Sequence, residues 1–169
     1  VALSTVVAIP LVAFVIFLMM ELEQRESELL AVNTADDAQM VARSVDRTLQ
    51  DMTTTLRILS TSPELEEGNL RAFHERTQRS LLSNALYVLA VDAEGMQLLN
   101  TRVPFGTPLR RMSDTAALEA ALETRVTHVS DVFFGATSGQ FVFNVTMPLS
   151  EEMTRNSGAA ALVVTQNAS

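Results

Sequence analysis

The stretch ALYVLAVDAEGMQLLNTR, residues 85–102, contains two apolar runs separated by a short turn. The first run, residues 85–92, is rich in β-branched and aromatic residues, which favour strands. Ala93-Glu94-Gly95 supplies the glycine that a hairpin turn needs where φ is positive. Residues 96–102 then return as a second strand. This hairpin predicts an antiparallel sheet.

A second hairpin is predicted further along the chain. Residues 126–134 and 140–149 flank a turn bounded by Gly135 and Gly139. Residues 159–166 give one more strand. The sequence therefore predicts five antiparallel strands.

Helices precede and interrupt these strands. Residues 21–60 contain no Pro or Gly and predict one long helix. Ser62 and Pro63 predict the start of a second helix that Gly68 interrupts, and Ser113-Asp114 caps a third helix that runs to Thr124. The long helix carries apolar residues at helical spacing: Val41, Val45, Leu49, Met52, Leu56 and Leu59.

The long helix is expected to have two roles. Residues 45–59 are expected to cover the sheet. The small residues Ala31, Ala35, Ala38 and Ala42 let another helix approach closely, which predicts a parallel homodimer. The predicted fold class is α+β, with a long N-terminal helix packed on an antiparallel five-stranded sheet.

Residues 1–20, VALSTVVAIPLVAFVIFLMM, carry no charge and match the length of a membrane-spanning helix. We expect a transmembrane helix at 1–20, a stalk at 21–60 and the sheet with its helices at 61–169, where 21–169 acts as one sensor unit. The 20 acidic against 12 basic residues favour a position outside the cytoplasm for residues 21 onward and argue against nucleic acid as a partner. No cysteine is present, which excludes thiolate chemistry.

Three segments resemble one bacterial family. They are LNTRVPFGTPL at 99–109, ILSTSP at 58–63, and VSDV at 129–132 leading to VTMPL at 145–149. Together they are similar to the extracytoplasmic PDC or Cache-like sensor domains of membrane-bound histidine kinases, in particular the HWE-type group. These domains have a PAS-shaped sheet carried on a long helix. The likeness covers residues 21–166.

The resemblance implies a function. It suggests the ligand-sensing periplasmic domain of a receptor in the bacterial inner membrane, followed by a catalytic output region beyond this sequence. Chemoreceptors and diguanylate cyclases carry related domains and stay as alternatives, as does a module that only dimerises or binds a periplasmic protein. No nucleophile elbow, phosphate-binding loop or zinc-protease motif is present, so we expect no catalysis from this segment and no cofactor.

Arg102 is the first candidate ligand-binding residue. Its guanidinium could hold a carboxylate or another anion by paired hydrogen bonds, with Asn100 beside it and the loop 103–108 as a lid. The alternative is that Arg102 and Asn100 only pin that loop. Arg110 and Arg111 could close an anionic pocket or could be a solvated helix flank.

Strand alternation gives further candidates. In residues 140–149, alternation sends Phe141, Phe143, Val145 and Met147 to the long helix and Asn144 and Thr146 to the other face. Asn144, Thr146 and Tyr87 could orient a small ligand, although polar residues are also ordinary on a half-exposed sheet.

The two histidines give little evidence for a metal. His128 could bind ligand or sense pH, or could be an ordinary surface residue. His74 lies between Glu75 and Arg76 and is expected at the surface. No metal site is expected.

Overall fold

The structure, a computed structural model, describes residues 39–81 and 86–168. The described residues belong to two units, one ending at Arg47 and the other beginning at Thr48. Residues 39–59 are helical and are called α1. The predicted membrane span at 1–20 and the stalk residues 21–38 lie outside the described residues.

The described part of the first unit, residues 39–47, is a helix segment with an exposed apolar side. Met40, Val41 and Val45 are 67 %, 64 % and 51 % exposed. Val45, predicted to be a covered position of the long helix, is thus exposed in this segment. Arg43 donates a hydrogen bond to Gln39 one helical turn away, at 3.1 Å.

The second unit contains the sheet. After α1, its elements in chain order are α2 Pro63–Glu66, α3 Leu70–Ser80, β1 Leu86–Val91, β2 Gln97–Asn100, α4 Ala116–Thr124, β3 His128–Val129, β4 Phe133–Gly135, β5 Gln140–Pro148, α5 Glu151–Ser157 and β6 Ala161–Asn167. The predicted α+β class with an antiparallel sheet is confirmed.

The sheet has six strands rather than five. Its order is β2-β1-β6-β5-β3, with β4 also paired to β5, and every pairing is antiparallel. The predicted strand 126–134 divides because its register changes: Val129 pairs with Val145, but Phe133 pairs with Val142. Between these two pairs, three residues (130–132) therefore oppose two (143–144), which is a one-residue β-bulge.

The bulge changes which side chains share a face. Without it, alternation would put Val129 and Phe133 on the same side of the sheet. With it, Phe133 turns to the face of Val142, and Phe134 pairs with Phe141 on the other face. Phe141 was predicted to be core, but it is 63 % exposed, and its ring contacts that of Phe134 edge to face at 5.7 Å.

The first face of the sheet packs against α1, α2 and α3. Central strands β1 and β6 contribute alternate residues to this core, as two-sided burial requires. Phe143, Val145 and Met147 lie on this face as predicted. The fully buried members include Met52, Leu56, Leu65, Phe73, Val88, Ala90, Leu162 and Val164.

The second face packs against α4. Its core consists of Tyr87, Leu89, Val91, Met112, Leu118, Ala161 and Val163, with Leu122 packed on it. The members of this core that come from the sheet are alternate residues of β1 and β6. The sheet therefore has helices on both faces.

The helices differ from expectation at two places. At Gly68 the expected interruption divides the segment after Ser62 into the separate helices α2 and α3. Gly68 adopts φ +70°, and Asn69 caps α3 by accepting a hydrogen bond from the Ala72 N–H at 3.1 Å. Helix α5 was not predicted at all. Its signals are present in the sequence, because Ser150 caps its start and Gly158, with φ +77°, ends it.

No helix in residues 39–81 or 86–168 combines the length and hydropathy needed to cross a bilayer.

The packing on α1 gives a stability prediction. Leu56 is fully buried, whereas Ile58 on the same helix is 65 % exposed. We expect Leu56→Ala to lower the free energy of unfolding by about 2–5 kcal/mol. Ile58→Ala should change it by less than about 0.5 kcal/mol. Denaturant unfolding of both variants measures the difference, and equal losses would contradict this assignment of the core.

Candidate functional site

The second face of the sheet carries a row of polar side chains. Tyr87 of β1 lies opposite Thr165 of β6, which in turn lies opposite Asn144 of β5. Arg102 continues the row beyond the end of β2. Leu89 pairs with Asn100, and Thr101 N–H donates to the Val88 carbonyl at 2.9 Å. The same register places the next residue, Arg102, opposite Tyr87. We call Arg102, Tyr87, Thr165 and Asn144 the polar row.

Hydrogen bonds hold the members of this row. Thr165 Oγ1 donates to Asn144 Oδ1 at 2.7 Å, and both residues are buried. The mutual bond offsets the cost of removing two polar groups from water. Asn100, one row away, is also buried; its Nδ2 donates to Gln97 Oε1 at 2.9 Å.

Arg102 stacks on Tyr87. Its guanidinium carbon lies 5.1 Å from the centre of the phenol ring, within range of a cation–π interaction. The Nη1 atom of Arg102 is buried and has no hydrogen-bond partner among the described residues. Buried polar groups are normally hydrogen-bonded, so this guanidinium nitrogen keeps an unused hydrogen-bond donor.

A cavity lies above this face. It encloses about 320 Å³ of empty space including its mouth, of which about 30 Å³ can be reached by a water-sized molecule. Its floor is formed by three members of the polar row together with Leu89 and Asn100, and its cover is the segment 133–137 with Met112 and Ser113. We call it the sheet cavity. No charged side chain lines it.

Two cover segments meet over the cavity. Ala136 N–H donates to Ser113 Oγ at 3.3 Å, which joins the turn after β4 to the segment before α4. Phe133 enters the cavity lining because of the β-bulge, so alternation along 126–134 could not have identified it. Thr165 was missed as well, although alternation along β6 could have found it.

The loop 103–108, predicted as a lid, does not line the sheet cavity. It packs instead on α3, where Phe105 makes an edge-to-face contact with His74 at 5.5 Å and lies beneath the Arg71 guanidinium at 4.9 Å. His74 was expected at the surface, but it is 2 % exposed. It is buried because this loop covers it.

The structure brings six of the eight proposed ligand-binding residues onto one face. Tyr87, Asn100 and Asn144 line the sheet cavity, and Arg102 adjoins it. Thr146 and His128 pair with each other in the next row, under α4. Arg110 and Arg111 are exposed in the segment before α4 and do not line the cavity.

Thr146 and His128 have different surroundings. Thr146 is fully buried, and its hydroxyl has no partner in the described part of the chain. His128 is half-buried, with Nε2 2.8 Å from Thr124 Oγ1 on α4. Within residues 39–81 and 86–168, no group of three or more His, Cys, Asp or Glu side chains is placed to hold a metal ion.

Comparisons with known proteins give distant structural neighbours. The chain is similar to the sensory domain of the Campylobacter jejuni chemoreceptor Tlp3 (CcmL), at 14 % identity and a TM-score of 0.44, over 74 % of this chain and 53 % of that one. The Tlp3 ligand-binding domain in complex with 4-methylisoleucine matches at 18 % identity and a TM-score of 0.39. The match covers 80 % of this chain and 53 % of that one. The complex with L-valine matches at 14 % identity and a TM-score of 0.43, over 74 % of this chain and 52 % of that one.

This chain thus spans about half the length of the solved structures that it matches. The sequence matches no protein-family profile and no curated protein. Similarity this distant assigns neither a ligand nor an activity, so the function is argued from the sheet cavity.

The phenol of Tyr87 gives a prediction about the site. Burial raises the pKa of Tyr87 above its usual 10.0, and hydrogen bonding with Ser138, the charge of Arg102 and hydrogen bonding with Thr165 each lower it in part. Tyr87 is the only tyrosine. Its phenolate absorbance should therefore titrate at higher pH in the folded protein than in denaturant.

Removing the Arg102 charge should raise that pKa further. We expect Arg102→Gln to move the phenol titration to higher pH, while the exposed Arg110→Gln leaves it unchanged. Because the folded-state pKa lies above the unfolded one, the free energy of unfolding should fall as pH rises from about 10 through the folded value. An Arg102→Gln titration that matches the wild type would show that Arg102 does not lie over Tyr87.

Proposed function

We propose that this chain is the ligand-sensing extracytoplasmic domain of a bacterial transmembrane receptor, and that the ligand binds in the sheet cavity. The observation that carries the proposal is the polar row ending at Arg102, whose buried Nη1 has no hydrogen-bond partner among the described residues. A set of oriented neutral polar groups with a cation at one end is a common way to recognise a small polar molecule.

We propose a small monocarboxylate as the ligand class. Arg102 supplies a charge-assisted donor for one carboxylate. The lining contains no acidic side chain to pair with an ammonium group, and it offers Leu89, Met112 and Phe133 for an apolar tail. A carboxylic acid therefore fits this lining better than an α-amino acid, the kind of ligand in the Tlp3 complexes.

Ligand entry requires the cover to move. Only a small part of the cavity, about 30 Å³, is now open to water-sized molecules. Segment 133–137 with Met112 and Ser113 would have to separate from the sheet. A ligand that binds the open arrangement better shifts the population toward it, which is the event a receptor needs.

The receptor type is proposed from the sequence resemblance. Segments 58–63, 99–109 and 129–149 favour a sensor histidine kinase of the inner membrane, with residues 1–20 as the span and the output region elsewhere in the protein. This segment would then not be catalytic. A chemoreceptor or a diguanylate cyclase with the same sensor is the alternative.

Dimerisation is the second candidate function and has its own observation. Met40, Val41 and Val45 expose more than half of their surface on one helix segment. Apolar side chains at this spacing on a solvent face are typical of a helix that pairs with another. We propose a parallel homodimer through this face, either as the route of the signal or as the module's sole role.

A matched set of compounds tests the ligand class. Isovalerate carries the carboxylate and branched tail of L-valine without its ammonium group, and isovaleramide lacks the charge. We expect isovalerate to bind, L-valine to bind at least about tenfold more weakly, and isovaleramide weakly. The fluorescence of Tyr87, the sole tyrosine in a chain without tryptophan, reports occupancy directly.

Variants of two arginines provide the control. Loss of one buried charge-assisted hydrogen bond costs about 1.5–3 kcal/mol, so Arg102→Gln should weaken isovalerate binding about 10- to 100-fold. Arg110→Gln should leave it unchanged. Equal binding of L-valine and isovalerate would refute the monocarboxylate proposal, and no response to any of the three compounds would favour the dimerisation module.

The dimer proposal has a separate test. We expect Val41→Glu to raise the dimer dissociation constant at least about tenfold, because it places a charge in an apolar contact. Gln39→Glu, an exposed position on the opposite side of the same turn, should have little effect. Sedimentation of the full chain in detergent gives both values, and two equally dimeric variants would exclude this face.

A further inference from the structure

We infer that His74, together with Gln78, is a positioning residue for the ligand site: from α3 it holds the backbone that carries Asn100 and Arg102. The inference rests on the proposed function, because it concerns the same sheet cavity. Neither residue lines that cavity, and both project from a helix on the opposite face of the sheet.

The contacts form a clamp on one short segment. His74 Nε2 lies 3.1 Å from the Asn100 carbonyl oxygen and 2.9 Å from that of Val103. Gln78 Nε2 donates to the Thr101 carbonyl at 2.9 Å. Two side chains one helical turn apart thus contact three carbonyls within four consecutive residues. We call these contacts the α3 clamp.

The contacts of His74 fix its proton. Nε2 faces two carbonyl oxygens, which only accept hydrogen bonds, so Nε2 carries a hydrogen. Nδ1 is buried and has no partner in the described part of the chain. The imidazole therefore acts as a single donor shared between two carbonyls, and its packing against Phe105 keeps the ring in place.

The clamped segment controls the two side chains of the site. Asn100 Oδ1 accepts a hydrogen bond from the Arg102 N–H at 3.0 Å, so the two residues form one turn. On the strand side, Thr101 Oγ1 accepts from the Val88 N–H at 2.9 Å. The strand holds one side of the turn and α3 holds the other. Removing the α3 contacts leaves only the strand side to hold the turn that directs the Arg102 side chain.

Three variants separate positioning from simple packing. His74→Leu keeps most of the volume and removes the donor. His74→Gln keeps a donor at a reach similar to that of Nε2. Thr77→Val is the control, because Thr77 is equally buried on α3 and its hydroxyl makes no hydrogen bond to the described residues.

Two readouts are measured on the folded full chain. We expect His74→Leu to raise the pKa of Tyr87, because the Arg102 charge leaves the phenol, and to weaken isovalerate binding about tenfold. His74→Gln should restore both toward wild type, and Thr77→Val should change neither. A His74→Leu variant that melts at a lower temperature but keeps both values would overturn the inference, since His74 would then be only a core residue.

The outcomes also separate the inference from the proposed function. If wild-type protein binds no isovalerate, the ligand proposal fails, while the Tyr87 titration still tests the clamp. If His74→Leu does not fold, Gln78→Leu takes its place, since Gln78 is exposed and its loss leaves the core intact. It should shift both readouts in the same direction by a smaller amount, and no shift would overturn the clamp.

Discussion

The pairing of β6 with both β1 and β5 is the constraint on which the rest of the structure depends. Helices cover both faces of the sheet, and successive side chains along a strand point to opposite faces. Neighbouring residues of these strands therefore belong to different cores. A slip of one residue would exchange the cores and place Thr165 and Asn144 against α1. The observed register instead aligns them with Tyr87 and lets their side chains satisfy each other at 2.7 Å.

Departures from regular pairing shape the site. The bulge between Val129 and Phe133 turns an aromatic ring into the cavity cover and leaves Phe134 outside. The register also shifts between Ala90 and Val91, near the turn where Gly95 adopts φ +80°. Bulges of this kind re-aim side chains without changing the strand order. The regular part of the sheet therefore provides the floor of the cavity, and the irregular part provides its cover.

The two faces of the sheet are connected through the edge at β2. The turn that carries Arg102 directs the Arg102 side chain to the second face of the sheet. The backbone carbonyls of the same turn face α3 on the first face. A change at the cavity that moves this turn must therefore strain or break hydrogen bonds to a helix of the first face. For the ligand proposed above, this arrangement offers a route from the cavity to the helical layer through specific hydrogen bonds.

The sequence by itself determined the antiparallel hairpins, the α+β class and the face on which Asn144 and Thr146 lie, because periodicity and turn residues are local properties. Only the tertiary structure decided the sixth strand, the burial of His74 and the true cover of the cavity. A bulge, a loop that folds over a helix and the exposure of Phe141 all depend on which segments meet in space. Local patterns contain no information about which segments meet in space. For that reason most of the candidate residues came from the sequence, and their arrangement came from the fold.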